Sequence, residues 1–174
     1  MSMSKRNISM IAAVAKNRAI GYKNRLLYNL PDDLKFFRKT TAGNVVVMGG
    51  NTYKSLPNGP LPNRLNIVVS TSIENEENYE NLMICKNSDE LFNFIDKTDK
   101  KVFIIGGASM YNLFIDEVNE LYLTEIDAEP DNADTYFPFF DKNEFEVVWE
   151  EQHDTDEKHE VPFKFVHYKK KIQN

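Results

Sequence analysis

Four short apolar runs constrain this chain most: "ISMIAAVA" (Ile8–Ala15), "NVVVMGG" (Asn44–Gly50), "LNIVVSTS" (Leu65–Ser72) and "KVFIIGG" (Lys101–Gly107). Each has the length of a strand and too few polar residues to keep one face wet, the pattern of strands covered on both sides. Helix signals fall between them. Pro31 opens a helix to about Thr41, because proline suits a first helical turn. "NTYKSL" reads as a short helix capped by Asn51 or Thr52. "SDELFNFID" carries a serine cap and an apolar stripe at Leu91, Phe94 and Ile95. "ASMYNLFIDEV" follows as another helix. "MICK" and "ELYLTEIDAE" add strands, and "FEVVWEEQHD" and "PFKFVHYKKK" form a hairpin around the turn "TDEKHE".

Strand–helix alternation predicts an α/β fold: a mostly parallel twisted sheet with helices on both faces and a C-terminal antiparallel hairpin at one side. "KNRAIGYKNRLL", "PNGPLPNR", "IENEENYENL" and "PDNADTYFPFF" read as loops. Met1–Arg6 reads as a polar overhang. The 174 residues, with no repeat or linker, fit a single domain over 1–174. In such sheets ligands bind outside the carboxyl ends of the strands.

The net charge of -6 argues against nucleic acid or an anionic membrane as the main partner. A lone cysteine, Cys85, rules out an intramolecular disulfide and suits a reducing cytosol. The N-terminal stretch is too weakly apolar for a signal peptide or membrane span. His153, His159 and His167 show no metal-ligand spacing, so no metal is expected, and they read as solvated residues of the hairpin.

"YNLPDDLKFF" (Tyr28–Phe37) sets two aspartates side by side at a helix start. Leu30, Leu34, Phe37 and Thr41 mark the inner face. Asp33 lies about 50° from the centre of that face and Asp32 about 150° away. Asp32 therefore turns to water, as a first-turn acid favouring the helix dipole. Asp33 turns inward, where a carboxylate needs partners, and a ligand with adjacent N–H donors would supply a bidentate pair. The two Gly-Gly corners, "MGGNTY" and "IGGASMY", together with the "VVSTS" strand end, suit an extended phosphate-bearing ligand. Neither matches the dinucleotide fingerprint or the P-loop. Arg64 could fork a carboxylate, but alone it reads as a solvated arginine. Thr124 could be an ordinary strand threonine.

Taken together, "ISMIAAVAKNRAIGYKNRLLYNLPDDLKFFRKTT", "VVVMGGNTYKSL", "PLPNRLNIVVS", "VFIIGGASMYNLF" and "LYLTEIDAE" resemble dihydrofolate reductase from Ile8 to the C-terminus. The resemblance implies reduction of dihydrofolate to tetrahydrofolate with NADPH, a role in one-carbon metabolism, antifolate inhibitors as ligands, a cytoplasmic location and a monomer. Asp33 would fork the pterin and assist its protonation, with Thr124 bonded to it and Tyr28 near a structural water. Arg64 would take the carboxylate of the glutamate tail. Ile11, Leu34, Phe37, Leu56, Leu61 and Ile105 would form apolar walls, with Ala12, Ser55 and Tyr111 beside them. The cofactor would lie along Ala13 and Ile20, the loop residues Asn24, Arg25 and Leu26, and the first corner, Gly49 to Thr52 with Gly50 and Asn51. Val69, Ser70 and Thr71 would flank it, as would Gly106 to Tyr111 with Gly107, Ala108, Ser109 and Met110. The family implies a cis peptide between Gly106 and Gly107, and a loop, Gly21 to Leu26, that closes over the site.

Four positions depart from the family pattern. Leu27 and Tyr28 replace Pro-Trp, Gly50 replaces an arginine beside the cofactor 2′-phosphate, and Ser109 replaces another arginine. The expectation is NADPH with a weakened or rearranged 2′-phosphate site. A related pterin or flavin-precursor reductase would not need Arg64, and a non-catalytic binding protein would not oxidise the cofactor.

Overall fold

The computed structural model describes residues 6–172, so the overhang expected at Met1–Arg6 lies outside them except for Arg6. Strands β1 (Ile8–Val14) and β2 (Ala19–Gly21) precede helix α1 (Pro31–Thr41). Strand β3 (Val45–Gly49), helix α2 (Gly50–Ser55), strands β4 (Leu65–Val69) and β5 (Leu82–Cys85), and helix α3 (Ser88–Ile95) follow. Next come β6 (Val102–Gly106), α4 (Ala108–Phe114) and β7 (Glu120–Ile126). The chain finishes with β8 (Thr135–Tyr136), β9 (Phe145–His153) and β10 (Phe163–Lys170).

The main sheet has eight strands in the order β5-β4-β3-β6-β1-β7-β10-β9. All pairings up to β7 are parallel, and β10 pairs antiparallel with both β7 and β9. The alternation of side chains separates the two faces. Val45, Val47, Val102 and Ile104 share one cluster with Leu91 and Ile95 of α3 and Met110 and Phe114 of α4. Val46, Met48 and Phe103 point the other way and pack with Phe37 of α1 and Tyr53 of α2. A period of two, with bulky apolar groups at every position, is what covers a sheet on both sides.

Several local expectations are corrected. The cap of α2 is Gly49 and not Asn51 or Thr52, and it offers no side chain. The cap of α3 is Asn87 rather than Ser88; its side chain accepts the Glu90 N–H. Two stretches expected as loops hold β2 and β8, which pair into a small second sheet; strands of three and two residues leave no periodicity to read. The expectation of solvated histidines fails for His159 and in part for His167, while His153 keeps an exposed contact on the hairpin. His159 is buried, His153 meets Glu151 at 2.6 Å, and His167 donates to Glu120 at 2.6 Å.

That last pair anchors a polar group at the amino ends of the central strands. Lys101 Nζ lies 3.4 Å from Glu120 and donates to the Tyr122 hydroxyl at 2.8 Å. The Tyr122 ring stacks on His167 at 4.1 Å. The hydrogen bond from His167, with Lys101 adding to it against the cost of burial, holds the Glu120 carboxyl down at about 2 instead of 4.5. A depressed carboxyl contributes stability above its unfolded value and loses it as pH falls through the folded one. We expect Glu120→Gln to lower stability at neutral pH and to flatten the acid limb of an unfolding-versus-pH curve between about 4.5 and 2.

Candidate active site

Helix α1 begins at Pro31, and its N-cap Leu30 supplies no side-chain bond. The carboxylate of Asp33 is therefore directed by the helix itself, which sets it against β7. Thr124, buried on β7, donates its hydroxyl to Asp33 Oδ1 at 2.5 Å. Burial pushes the Asp33 carboxyl above its ordinary range, and the bond from Thr124 opposes part of that rise. The inward orientation read from periodicity is thus observed.

Leu34 is corrected: it is 45% exposed. With Leu26, Tyr28, Asn29, Leu30 and Asp33 it lines a cavity of about 160 Å³. Periodicity placed Leu34 on the inner side, but that side opens here into a cleft rather than into packed core. Tyr28 shares this cavity with Asp33. Burial first, and then the charge of Asp131, raise its phenol. A larger cavity of about 460 Å³ lies elsewhere, lined by Val14, Leu123 and Phe137, and contains none of the expected catalytic residues. Its two carboxylates are engaged: Glu125 accepts from Tyr168, and Asp127 pairs with Lys16.

Most of the residues expected as apolar walls pack in one hydrophobic cluster. Ile11, Phe37, Leu56, Leu61 and Ile105 belong to one cluster on the α1 side. The Ala12 side chain packs on the opposite face, a correction that leaves only its backbone available. Ser55 is exposed and donates to Thr52 O at 2.6 Å.

Arg64 is buried, not the solvated arginine that the residue alone suggested. Its Nε donates to Pro62 O at 2.8 Å and its Nη1 to the Thr41 hydroxyl at 3.1 Å. Burial, then the positive charge of Arg38, lower its affinity for the proton. Two bonds fix the guanidinium plane and leave Nη2 without a partner among the described residues, the arrangement for gripping an anion. Asn66, which the sequence did not single out, braces this corner: fully buried, it accepts from Leu61 N at 2.9 Å and donates to Leu61 O at 2.9 Å.

The two Gly-Gly corners meet because Met48 of β3 pairs with Gly106 of β6. The Gly106–Gly107 peptide is cis, as expected. A Cβ on Gly106 would stand 3.2 Å from the Thr52 hydroxyl, and one on Gly107 3.4 Å, so glycine keeps a cradle open beside Thr52. Tyr111 is buried and donates to Ile11 O at 2.8 Å; burial and the charge of Asp33 raise its phenol. Met110 is corrected from cofactor contact to core, because it is buried in the cluster under α4 and Gly49.

At Gly50 a Cβ would meet Ile73 Cδ1 at 3.1 Å and Ser70 Oγ at 3.4 Å. Ser70 Oγ accepts the N–H groups of Ser72 and Ile73 at 3.1 and 3.2 Å. Asn51, Thr71 and Ser109 are exposed, and Val69 is half-buried. No cation stands at position 50 or 109.

The segment Gly21–Leu26 folds as a tight turn in which Tyr22 and Arg25 bridge. Asp134, expected only as part of a polar loop, fastens it: Asp134 Oδ2 accepts Lys23 N and Asp134 N donates to Gly21 O, both at 3.0 Å. Asn24, Arg25 and Leu26 stay exposed, while Ala13 and Ile20 are half-buried.

The family described as dihydrofolate reductase matches residues 7–170. The chain belongs to the dihydrofolate reductase family. It is 36% identical over 164 residues to the dihydrofolate reductase of Bacillus subtilis, covering 94% of this chain and 95% of that protein. It is 35% identical to that of Haemophilus influenzae, with coverages of 91% and 95%. The dihydrofolate reductase of Enterococcus faecalis, solved in complex with NADP(H) and RAB-propyl, superposes with a TM-score of 0.83. It shares 28% identity over 95% of this chain and 96% of that one. The dihydrofolate reductase fold thus brings Asp33, Thr124, Arg64 and the Gly106–Gly107 corner to one side of the sheet.

A buried carboxyl whose proton is held too tightly makes the folded state bear a penalty above its raised value, relieved as pH falls. We expect Asp33→Asn, which keeps an acceptor for Thr124, to raise the melting temperature by a few degrees at pH 8. The gain shrinks on acidification, which thermal unfolding across pH measures.

Proposed function

We propose that this chain reduces 7,8-dihydrofolate to 5,6,7,8-tetrahydrofolate with NADPH, as a single-domain cytoplasmic monomer supplying one-carbon metabolism. The observation that carries the reading is the inward carboxylate of Asp33, bonded to Thr124 beside a cleft lined by Leu26, Tyr28 and Leu34, with Arg64 tied to Thr41 of the same helix. None of the helices described is long and apolar enough to cross a membrane.

The residues fit the cofactor. Its cradle would be the glycine space of Gly106 and Gly107 beside Thr52, with Gly49, Ala108, Ala13 and Ile20 as its further contacts. When bound, NADPH supplies the hydride. As a carboxylate, Asp33 forks the adjacent N–H groups of the pterin and assists the ring's protonation through water, its burial raising its affinity for a proton in passage. The walls from Ile11, Phe37, Leu56, Leu61 and Ile105 exclude water and orient the ring. Arg64 takes the tail carboxylate, which favours a folate over a pterin or flavin precursor lacking that group. Antifolates would occupy the same cleft.

Absorbance at the nicotinamide band, with dihydrofolate and NADPH, tests this directly. Asp33→Asn is expected to lower turnover at neutral pH by roughly 10²–10⁴-fold; binding without oxidation by the unmodified chain would overturn the reading. For the 2′-phosphate, a missing charge-assisted bond is worth about 1.5–3 kcal/mol. Gly50→Arg is therefore expected to tighten NADPH by about tenfold or more while leaving NADH unchanged. The crowding atom at that position, Ile73 Cδ1, is the tip of a side chain that can yield.

A further inference from the structure

The loop between β9 and β10 folds back over the start of α1, and His159 is its buried contact. Its side chain is 1% exposed. Nδ1 donates to Asp156 Oδ1 at 2.8 Å, and the same oxygen accepts the N–H groups of Lys158 and His159 at 2.8 and 2.9 Å. Nε2 accepts the backbone N–H of Asp32 at 3.2 Å. The tautomer follows from the partners, since a carboxylate only accepts and a backbone N–H only donates. The ring also packs against Phe163, with centroids 5.1 Å apart.

This contact does what the helix start lacks. The first N–H groups of a helix have no partner within it, and Leu30 offers no side-chain cap. An imidazole 127 residues away takes one of them. The residue that receives this bond is the immediate neighbour of Asp33. Asp33 is thus held from two directions: by Thr124 at its carboxylate and by His159 at the backbone one position before it. The charged groups facing His159 are Asp32 from α1, whose Oδ2 is 3.9 Å from Nε2, and Asp156 from the loop. These three lie close enough to hold a metal ion, but both ring nitrogens are already engaged, and a metal would have to displace the Asp32 N–H.

We propose that His159 is a positioning residue for Asp33, capping the first turn of α1 from the β9–β10 loop so that the carboxylate meets Thr124 and the substrate at fixed distance. The proposal rests on the reading of Asp33 as the group that handles the proton. Reactive geometry tolerates little drift, so a cap worth little to folding matters more to turnover.

The experiment compares the full chain with His159→Phe, which keeps a flat ring against Phe163 but neither hydrogen bond, and with His159→Gln, which keeps an acceptor. Asp156→Ala, at a residue whose side chain is 55% exposed, removes the support of Nδ1 and serves if His159→Phe does not fold. Three readouts are taken: the titration of the Asp33 carboxyl by NMR without ligand, kcat and KM with dihydrofolate and NADPH, and thermal unfolding. His159→Phe is expected to lower kcat by about tenfold, with KM for dihydrofolate changed far less. It is also expected to move the Asp33 midpoint down toward the ordinary carboxylate range as water reaches the carboxylate. His159→Gln restores most of both, and Asp156→Ala moves both in the same direction as His159→Phe. A fall in melting temperature with kcat and the Asp33 titration unchanged would overturn the proposal. Should the unmodified chain not turn over dihydrofolate, the functional reading fails, while the titration still decides the role of His159.

Discussion

The contact between Asp33 and Thr124 joins the two parts that must agree for this molecule to work. One end belongs to the first turn of a helix and the other to the middle of a sheet. A carboxylate in apolar surroundings is costly without a partner, so the helix is committed to one placement against β7. The cleft is what remains beside that commitment, lined by Leu26, Tyr28, Leu30 and Leu34 around Asp33. Arg64 is tied back to the same helix through Thr41, whose hydroxyl donates to Phe37 O at 2.8 Å. One helix therefore carries the acid at its start and braces the base at its end.

Around this helix the sheet supplies order of a different kind. Parallel strands end together, so the Gly-Gly corners of β3 and β6 become neighbours without any special contact between their loops. The antiparallel edge does something else. By returning over α1, the β9–β10 loop connects the most remote part of the sequence to the catalytic end of the helix. The polar group of Glu120, Lys101 and His167 sits at the other ends of the strands, where its charge serves stability away from the chemistry.

Much of this was legible in the sequence because it is local. Buried strands announce themselves by apolar runs, and Pro31 and the spacing of Leu30, Phe37 and Thr41 place Asp33 inward. Leu34 shows where periodicity stops: a residue facing a cleft and one facing packed core have the same spacing. Arg64 was named for the right chemistry yet read as solvated, because burial of a loop arginine depends on Thr41 and Pro62, which no local pattern links to it. His159, Asn66 and Asp134 escaped for the same reason. Each acts through backbone groups, and a backbone partner leaves no signature in the letters of the chain.

The chain's single tryptophan is not in the cleft. Trp149 stands on the edge strand β9 and stacks on Phe36 of α1 at 6.1 Å, and Phe36 in turn stacks on Phe165 of β10 at 4.3 Å. The indole rests against Phe36, one turn along the same helix from Asp33 and about 60° round it. Its intrinsic fluorescence is thus a reporter of how the hairpin rests on α1. A change in emission when the cleft fills would register motion transmitted through the helix, since Trp149 does not line the cleft around Asp33.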